Sequence, residues 1–370
     1  MSKLIKGWRT SMIRFDNDYT TGAHKRILSR LVETNDEQTS GYGTDPYCES
    51  AKKLIQQACA APTADVHFLV GGTQTNKTVI SSILRPHQGV IAAESGHIAT
   101  NETGAIEATG HKVLTVPSKD GKIRAEQVED MMKAHLDNPG NIHTVQPGMV
   151  YISHPTEVGT LYTLDELAAL HGVCNFYGLP LFLDGARLGY GLAAEGTDVT
   201  LPHIAELCDV FYIGGTKVGA MFGEAVVITS NRYKNDFRYM MKQGGALLAK
   251  GRLLGIQFET LFEDMLYMDI AKHAVELAML IREAFTLKGF TLRYDSLTNQ
   301  QFIILPNEVY EHLSKSYIFS KWETIGEHHT VIRICTSWAT SRESVAQLVK
   351  DIMHLKTSHY THSNDERTFH

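Results

Sequence analysis

Between residues 65 and 230 the chain is punctuated by short apolar runs: DVHFLVGG (65–72), GVIAAES (89–95), GMVYISHP (148–155), LPLFLDG (179–185), VFYIGG (210–215) and GEAVVITS (223–230). Each has the length of a strand. They are apolar almost throughout rather than alternating, so both faces of each strand must be covered. Amphipathic stretches of helical length lie between most of them. Thr73–Leu84 and a stretch near Thr100–Gly110 follow the first two runs. LYTLDELAALHGVCNFYG follows the third, with Thr163 and Glu166 spaced as a capping box. Strands alternating with helices predict an α/β fold with a mostly parallel central sheet and helices on both faces.

After Ser230 the texture changes. Residues 231–289 carry helical periodicity, and FTLRYDSLTNQQFIILP (290–306) and TVIRICTSW (330–338) read as antiparallel strands around EVYEHLSKS (308–316). With the helix SRESVAQLVKDIMHLK (341–356) they predict a smaller α+β domain. The expected division is an N-terminal segment, 1–40, packing on either domain; a large α/β domain, 41–245; a small α+β domain, 246–355; and a polar tail, 356–370.

Lys217 lies just past the run VFYI. A lone lysine at a strand end usually reaches for water, but open α/β sheets also place their ligands at the carboxyl ends of strands. Gly214, Gly215 and Gly219 around it are expected to clear space for a flat ligand. Desolvation would favour the neutral amine, the nucleophile that forms an imine. Asp184 ends the run PLFLD; taken alone it is often a helix N-cap, but beside such a lysine it suits holding a pyridinium nitrogen protonated. Arg187, three residues on, presents a planar fork to a carboxylate, though a surface ion pair is the plainer reading.

In GGTQTN (71–76), Gly71, Gly72 and Thr73 sit at a strand–helix turn that can take an anion on the helix N-terminus, without the spacing of a P-loop. Thr216 adds a hydroxyl for the same anion. His97, in ESGHIATNETGA, follows another strand end and could stack on a planar ring. Phosphate turn, stacking ring, carboxylate and amine are expected in that order along the sheet.

LDGARL (183–188) and GGTKVGA (214–220), at this separation, carry a resemblance. YGTDPYCESAKKLIQQ (42–57), GGTQTN, ESGHIATNETGAI (94–106), HPTEVGTLYTLDEL (154–167) and KQGG (242–245) support it. Over roughly its first two thirds the chain resembles the pyridoxal-phosphate enzymes of the aspartate-aminotransferase fold, and within them the L-threonine aldolase and β-eliminating lyase group. The resemblance implies that Lys217 carries pyridoxal phosphate as an imine, Asp184 pairs with its pyridine nitrogen and His97 stacks on its ring. Gly72 and Thr73, joined by Thr216, would hold the phosphate, with Arg187 also bordering the cofactor and Lys242 reaching a phosphate across a dimer interface. Arg187 and Arg333 (in VIRICTSW) would clamp the amino-acid carboxylate, and Asn17 (in RFDNDYT) stands where the family has a serine that helps bind it. His154 falls near a histidine that some members use around the substrate hydroxyl. TKVGAMF in place of SKGLGAP, DND in place of RSD, and GGTQTN in place of SGTMGN depart from the family pattern.

The implied activity is retro-aldol cleavage of threonine to glycine and acetaldehyde, with His97, His154 or an ordered water taking the hydroxyl proton. The alternative is β-elimination or transamination of another amino acid. The implied assembly is a homodimer or homotetramer with the site at the dimer interface. A dinucleotide-binding oxidoreductase is a weaker reading: GYGLAA (189–194) has the glycine spacing, but Asp184, Gly185 and Arg187 separate it from its strand, and Asp209 precedes VFYI. A catalytically dead scaffold would have no need of this lysine, aspartate and arginine together.

Composition narrows the partners. A formal charge of -6 argues against a dedicated nucleic-acid binder, and no run approaches a membrane span. Cys48, Cys59, Cys174, Cys208 and Cys335 form no zinc spacing and read as reduced thiols, so a cytoplasmic protein is expected. GEHHTV (326–331) and His354, His359 and His362 lack a catalytic metal spacing, and no metal site is expected.

Overall fold

The computed structural model describes residues 12–355; residues 1–11 and the expected polar tail, 356–370, lie outside them, with His359 and His362. A short first strand, β1 (Ile13–Arg14), pairs in parallel with Tyr317–Ile318. Seven strands then build the central sheet: β2 (Asp65–Leu69), β3 (Gln88–Ala93), β4 (Val113–Val116), β5 (Gln146–Ser153), β6 (Leu181–Asp184), β7 (Val210–Gly214) and β8 (Glu224–Ile228). Their spatial order is β2-β8-β7-β6-β5-β3-β4. β8 is antiparallel to both its neighbours and the remaining pairs are parallel, so every strand but β8 runs the same way.

Two-sided burial explains the unbroken apolar runs. In β7, Phe211 and Ile213 enter one core cluster while Val210 and Tyr212 enter the other, following the two-residue period of a strand. The expected helix over Thr73–Leu84 spans Gly72–Ile83. The helix Leu164–Tyr177 begins on the Thr163–Glu166 capping box and stops at Gly178, whose left-handed φ of 68° suits a residue without a Cβ. The helix expected near Thr100–Gly110 does not form. One turn, His97–Thr100, is followed by Thr103 and Gly104 at φ 52° and 72°, which carry the backbone out of right-handed helix.

A three-stranded antiparallel sheet, in the order β11-β12-β9, comprises β9 (Gln300–Pro306), β11 (Ser320–Ile325) and β12 (His329–Cys335); the short β10 (Tyr317–Ile318) is the partner of β1. β11 has no apolar run to announce it: SKWETI is a half-exposed edge strand. Helices Leu266–Leu287 and Arg342–Met353 cover this sheet through Leu277, Ile281, Phe285 and Leu348. The N-terminal segment joins both cores, with Phe15 in the smaller one and Ala23 and Ile27 in the larger. All five cysteines are free and buried, and among the described residues no helix is long and apolar enough to cross a membrane.

Candidate active site

Because six strands share a direction, the turns after β2, β3, β5, β6 and β7 leave from one edge of the sheet. Those turns carry Gly72, His97, His154, Asp184 and Lys217. In space the order is phosphate turn, lysine, aspartate, histidine, not the expected one, because β7 and β6 lie between β2 and β3.

Asp184 is buried at the last position of β6 and accepts four hydrogen bonds. Oδ1 takes the Ala186 amide (3.0 Å) and the Tyr212 hydroxyl; Oδ2 takes the Tyr151 hydroxyl (2.6 Å) and the Asn76 amide (3.1 Å). Burial alone would raise its pKa, but the charge of His97, the two hydroxyls and the Ala186 amide together hold the carboxyl below its ordinary value. Lys217 makes no ion pair among the described residues, and its pKa is lowered, first by burial and then by the charge of Arg187, against the pull of Asp18, Asp184 and Glu224. The result is a carboxyl and an amine at adjacent strand ends, each with its pKa held below its ordinary value.

The glycines beside Lys217 do not clear space for a ring. A Cβ on Gly214 would strike the backbone of Ala186; one on Gly215 would come within 2.8 Å of Gly223 O and the Phe258 ring. Gly219, at φ 93°, faces Ile270. They let the β6 and β7 turns, and the helices behind them, approach closely. Gly72 is the one that borders the site: its Cβ would sit 3.2 Å from the Tyr212 hydroxyl that holds Asp184. The helix it opens has no side-chain cap at Gly71, which leaves the first amides unclaimed. Thr216 lies opposite, its hydroxyl accepting from the Gly223 amide at 3.0 Å. Sequence reasoning missed Glu224, a buried carboxyl facing Gly214 across the sheet and accepting the Gly215 amide at 3.1 Å. Burial pushes it up to about 8, opposed by the Thr216 hydroxyl and Lys217.

His97 is one-third exposed, and its Nδ1 lies 3.1 Å from Glu102 Oε1. Its amide donates to Glu157 Oε1 at 2.9 Å, an oxygen that also takes the Ser153 hydroxyl at 2.6 Å. His154 is not part of this group. Tyr151 and Ser153 point from β5 toward Asp184 and Glu157, whereas His154, in the bend just past β5, is fully buried, with Nδ1 accepting the Tyr162 amide at 3.3 Å. Burial pushes it down to about 4, despite the charges of Asp198 and Glu166.

Arg187 already has a carboxylate. Its Nε and Nη2 donate to Asp18 at 2.7 and 3.0 Å, and Asn299 donates to the same Asp18 at 2.9 Å. Arg333 has no acidic partner among the described residues: Nη2 donates to the Asp16 carbonyl at 3.2 Å, its guanidinium lies over Trp322, and its buried Nε is unpaired. Asn17 spends its side chain locally, on Asp16 and on the Tyr19 amide. Lys242 is exposed, its ammonium 4.7 Å from the centre of the Tyr42 ring.

This arrangement offers an amine nucleophile, a fixed negative charge for a cationic ring atom, an imidazole with one free nitrogen, free amides for an anion, and a guanidinium awaiting a carboxylate.

The family model described as beta-eliminating lyase matches residues 15–359. The low specificity L-threonine aldolase of Pseudomonas sp. (strain NCIMB 10558) is 31% identical over 348 residues, covering 92% of this chain and 96% of that protein. Among solved structures, a threonine aldolase from Leishmania major superposes with a TM-score of 0.89 at 44% identity, over 92% of this chain and 98% of that one. An aspartate aminotransferase mutant from Thermus thermophilus gives a TM-score of 0.68 at 13% identity over 92% and 91% of the two chains, a likeness of fold alone.

Proposed function

The chain belongs to the beta-eliminating lyase family, and from that membership and the site we propose that it is a pyridoxal-phosphate-dependent threonine aldolase, releasing glycine and acetaldehyde. The donor set fits the cofactor: an ionised Asp184 for the ring nitrogen, the desolvated Lys217 amine for its carbonyl carbon, and the uncapped Gly72–Thr73 amides, with Thr216, for its phosphate. Bound there, pyridoxal phosphate supplies an electron sink for the charge left on the substrate α-carbon when a bond to it breaks. Asp184 has four donors, but two are hydroxyls that can rotate and give up a place to a ring N–H.

Arg333 grips the substrate carboxylate. Arg187, with two of its N–H directions on Asp18, contributes from its remaining edge. Holding that end of the amino acid fixes which α-carbon bond faces the ring. His97 accepts the β-hydroxyl proton on Nε2, since Nδ1 is turned to Glu102. The observation that carries this reading is the placement of Lys217, without an ion-pair partner among the described residues, one strand over from the buried Asp184 and its four hydrogen-bond donors. Purified enzyme given threonine should release acetaldehyde and glycine in equal amounts; ammonia and a keto acid instead would move the assignment to elimination or transamination.

Arg333→Ala should raise KM for threonine by roughly 10- to 100-fold, the effect of losing a charge-assisted hydrogen bond of about 1.5–3 kcal/mol, with kcat falling less. An unchanged KM would remove Arg333 from the clamp.

The assembly we propose is a homodimer or homotetramer in which Lys242 serves a neighbouring site. Exposed Val32, Tyr42, Tyr239 and Met265 support it, at 77, 45, 77 and 65% exposure, and sedimentation equilibrium would reveal a monomer if it is wrong. Free, buried cysteines suit a cytoplasmic setting.

A further inference from the structure

We infer that Glu102, held by Asn76, is a positioning residue that fixes the tautomer of His97 and joins it to Asp184 through a continuous chain of hydrogen bonds; the inference rests on His97 being the proton acceptor named above. Glu102 has an entirely buried side chain, and its Oε1 accepts from Asn76 Nδ2 at 2.9 Å and from His97 Nδ1 at 3.1 Å. Asn76 is also fully buried. Its amide nitrogen has two hydrogens, and its second acceptor is Asp184 Oδ2 at 3.1 Å. An amide oxygen could not face two carboxylates, so the orientation of Asn76 is set by its neighbours.

Glu102 Oε2 and Asn76 Oδ1 have no hydrogen-bond partner among the described residues. Burying an acid and an amide this way costs stability, and an apolar pair at these positions would not. What the pair provides is geometry. With Glu102 as the acceptor, the shared proton sits on Nδ1 and Nε2 keeps its lone pair free. The single helical turn His97–Thr100, closed by the Asn101 amide on the His97 carbonyl at 2.9 Å, brings the acid round to the histidine five residues before it.

The charges facing His97 are Glu102 from its own segment, Asp184 from β6, Glu157 from the turn after β5, and Lys217 from the turn after β7. Burial disfavours imidazolium and so does Lys217, but the Glu102 hydrogen bond and the nearby acids outweigh them and raise the pKa. Because the folded value is raised, the charged ring gains its partner below the ordinary histidine value and loses it as pH climbs through the folded one.

The test uses the holoenzyme labelled at its histidine rings, with the His97 signals identified by their loss in His97→Gln. In the wild type, above the His97 pKa, nitrogen shifts should show Nδ1 protonated and Nε2 bare; the opposite tautomer overturns the inference without need of any variant. Glu102→Gln keeps an acceptor oxygen but removes the charge. It should lower the His97 pKa by about one unit, move the acidic limb of the kcat/KM profile by the same amount, and reduce kcat about 10- to 100-fold with KM little changed. An unmoved His97 pKa in Glu102→Gln also overturns it. Both ring measurements are independent of substrate. The expected tautomer and shift with no aldehyde from threonine would spare this inference and sink the aldolase assignment, and aldehyde release with an unmoved ring would do the reverse.

Discussion

Lys217→Ala should give a folded protein that no longer holds pyridoxal phosphate covalently. Borohydride should fix the cofactor to the wild-type chain at position 217, and in the variant dialysis should remove it. Aldehyde release should fall by more than about 10⁴-fold, the upper end for loss of a single proton-transferring side chain, because the attachment point goes with it. Lys217→Arg should rescue nothing, since a guanidinium stays protonated. The fold should not suffer. The folded pKa of Lys217 lies below its unfolded value, so at neutral pH the unfolded chain holds that proton more tightly than the native one does. The lysine therefore costs stability at neutral pH, and the cost fades only as pH rises from the folded value toward about 10.4. Apo Lys217→Ala should melt no lower than apo wild type at pH 7. An unchanged visible spectrum in the variant would remove Lys217 as the attachment point.

Asp184→Asn is the second large effect, and it acts on stability and rate together. Asparagine keeps the shape but replaces one acceptor oxygen with an NH2 group. If that group occupies the Oδ1 position it meets the Ala186 N–H; at the Oδ2 position it meets an N–H of Asn76. The two tyrosine hydroxyls can turn and accept, but an amide N–H cannot. One buried donor is left facing another in either orientation, a loss of about 1–3 kcal/mol. The rate should fall by roughly 10²–10³-fold in kcat, as for other fixed charges aimed at a charge-developing centre. Acid behaviour changes too. Asp184 and Asp18 both have folded pKa values below the unfolded ones, so their stabilisation is present above about pH 3.9 and disappears as pH falls through the folded values. The variant should lose its Asp184 share of that acid transition in a pH series of thermal melts. Wild-type turnover in Asp184→Asn would break its link to the ring nitrogen.

The positions of Lys217 and Asp184 at strand ends are legible in the sequence, because a strand end is a local feature marked by an apolar run and a turn. Their partners are not. Asp18 reaches Arg187 across 169 positions, and Asn76 reaches Asp184 across 108, separations no local pattern encodes. Tyr151 and Tyr212 read as ordinary members of apolar strands, and only the strand order brings their hydroxyls to one carboxylate. Glu102 lies only five residues after His97, but the single turn between them that brings the acid onto the ring carries no local signature. His154 sits in the bend just past β5, and nothing local in the sequence announces that its ring is buried against the Tyr162 amide. The glycines near Lys217 were right in position and wrong in purpose, because sequence shows where side chains are missing and not what would have struck them.

The stretch from Phe15 to Ile27 is anchored at either end in different hydrophobic interiors, and Asp18 hangs between these anchors against Arg187 and Asn299. The end of the site proposed to take the amino acid is thus a seam stitched from distant parts of the polypeptide, with Asp18, Arg187 and Asn299 meeting there. A break within that thread would free Asp18 to leave Arg187 and Asn299, and it is expected to loosen the proposed hold on the substrate before anything else.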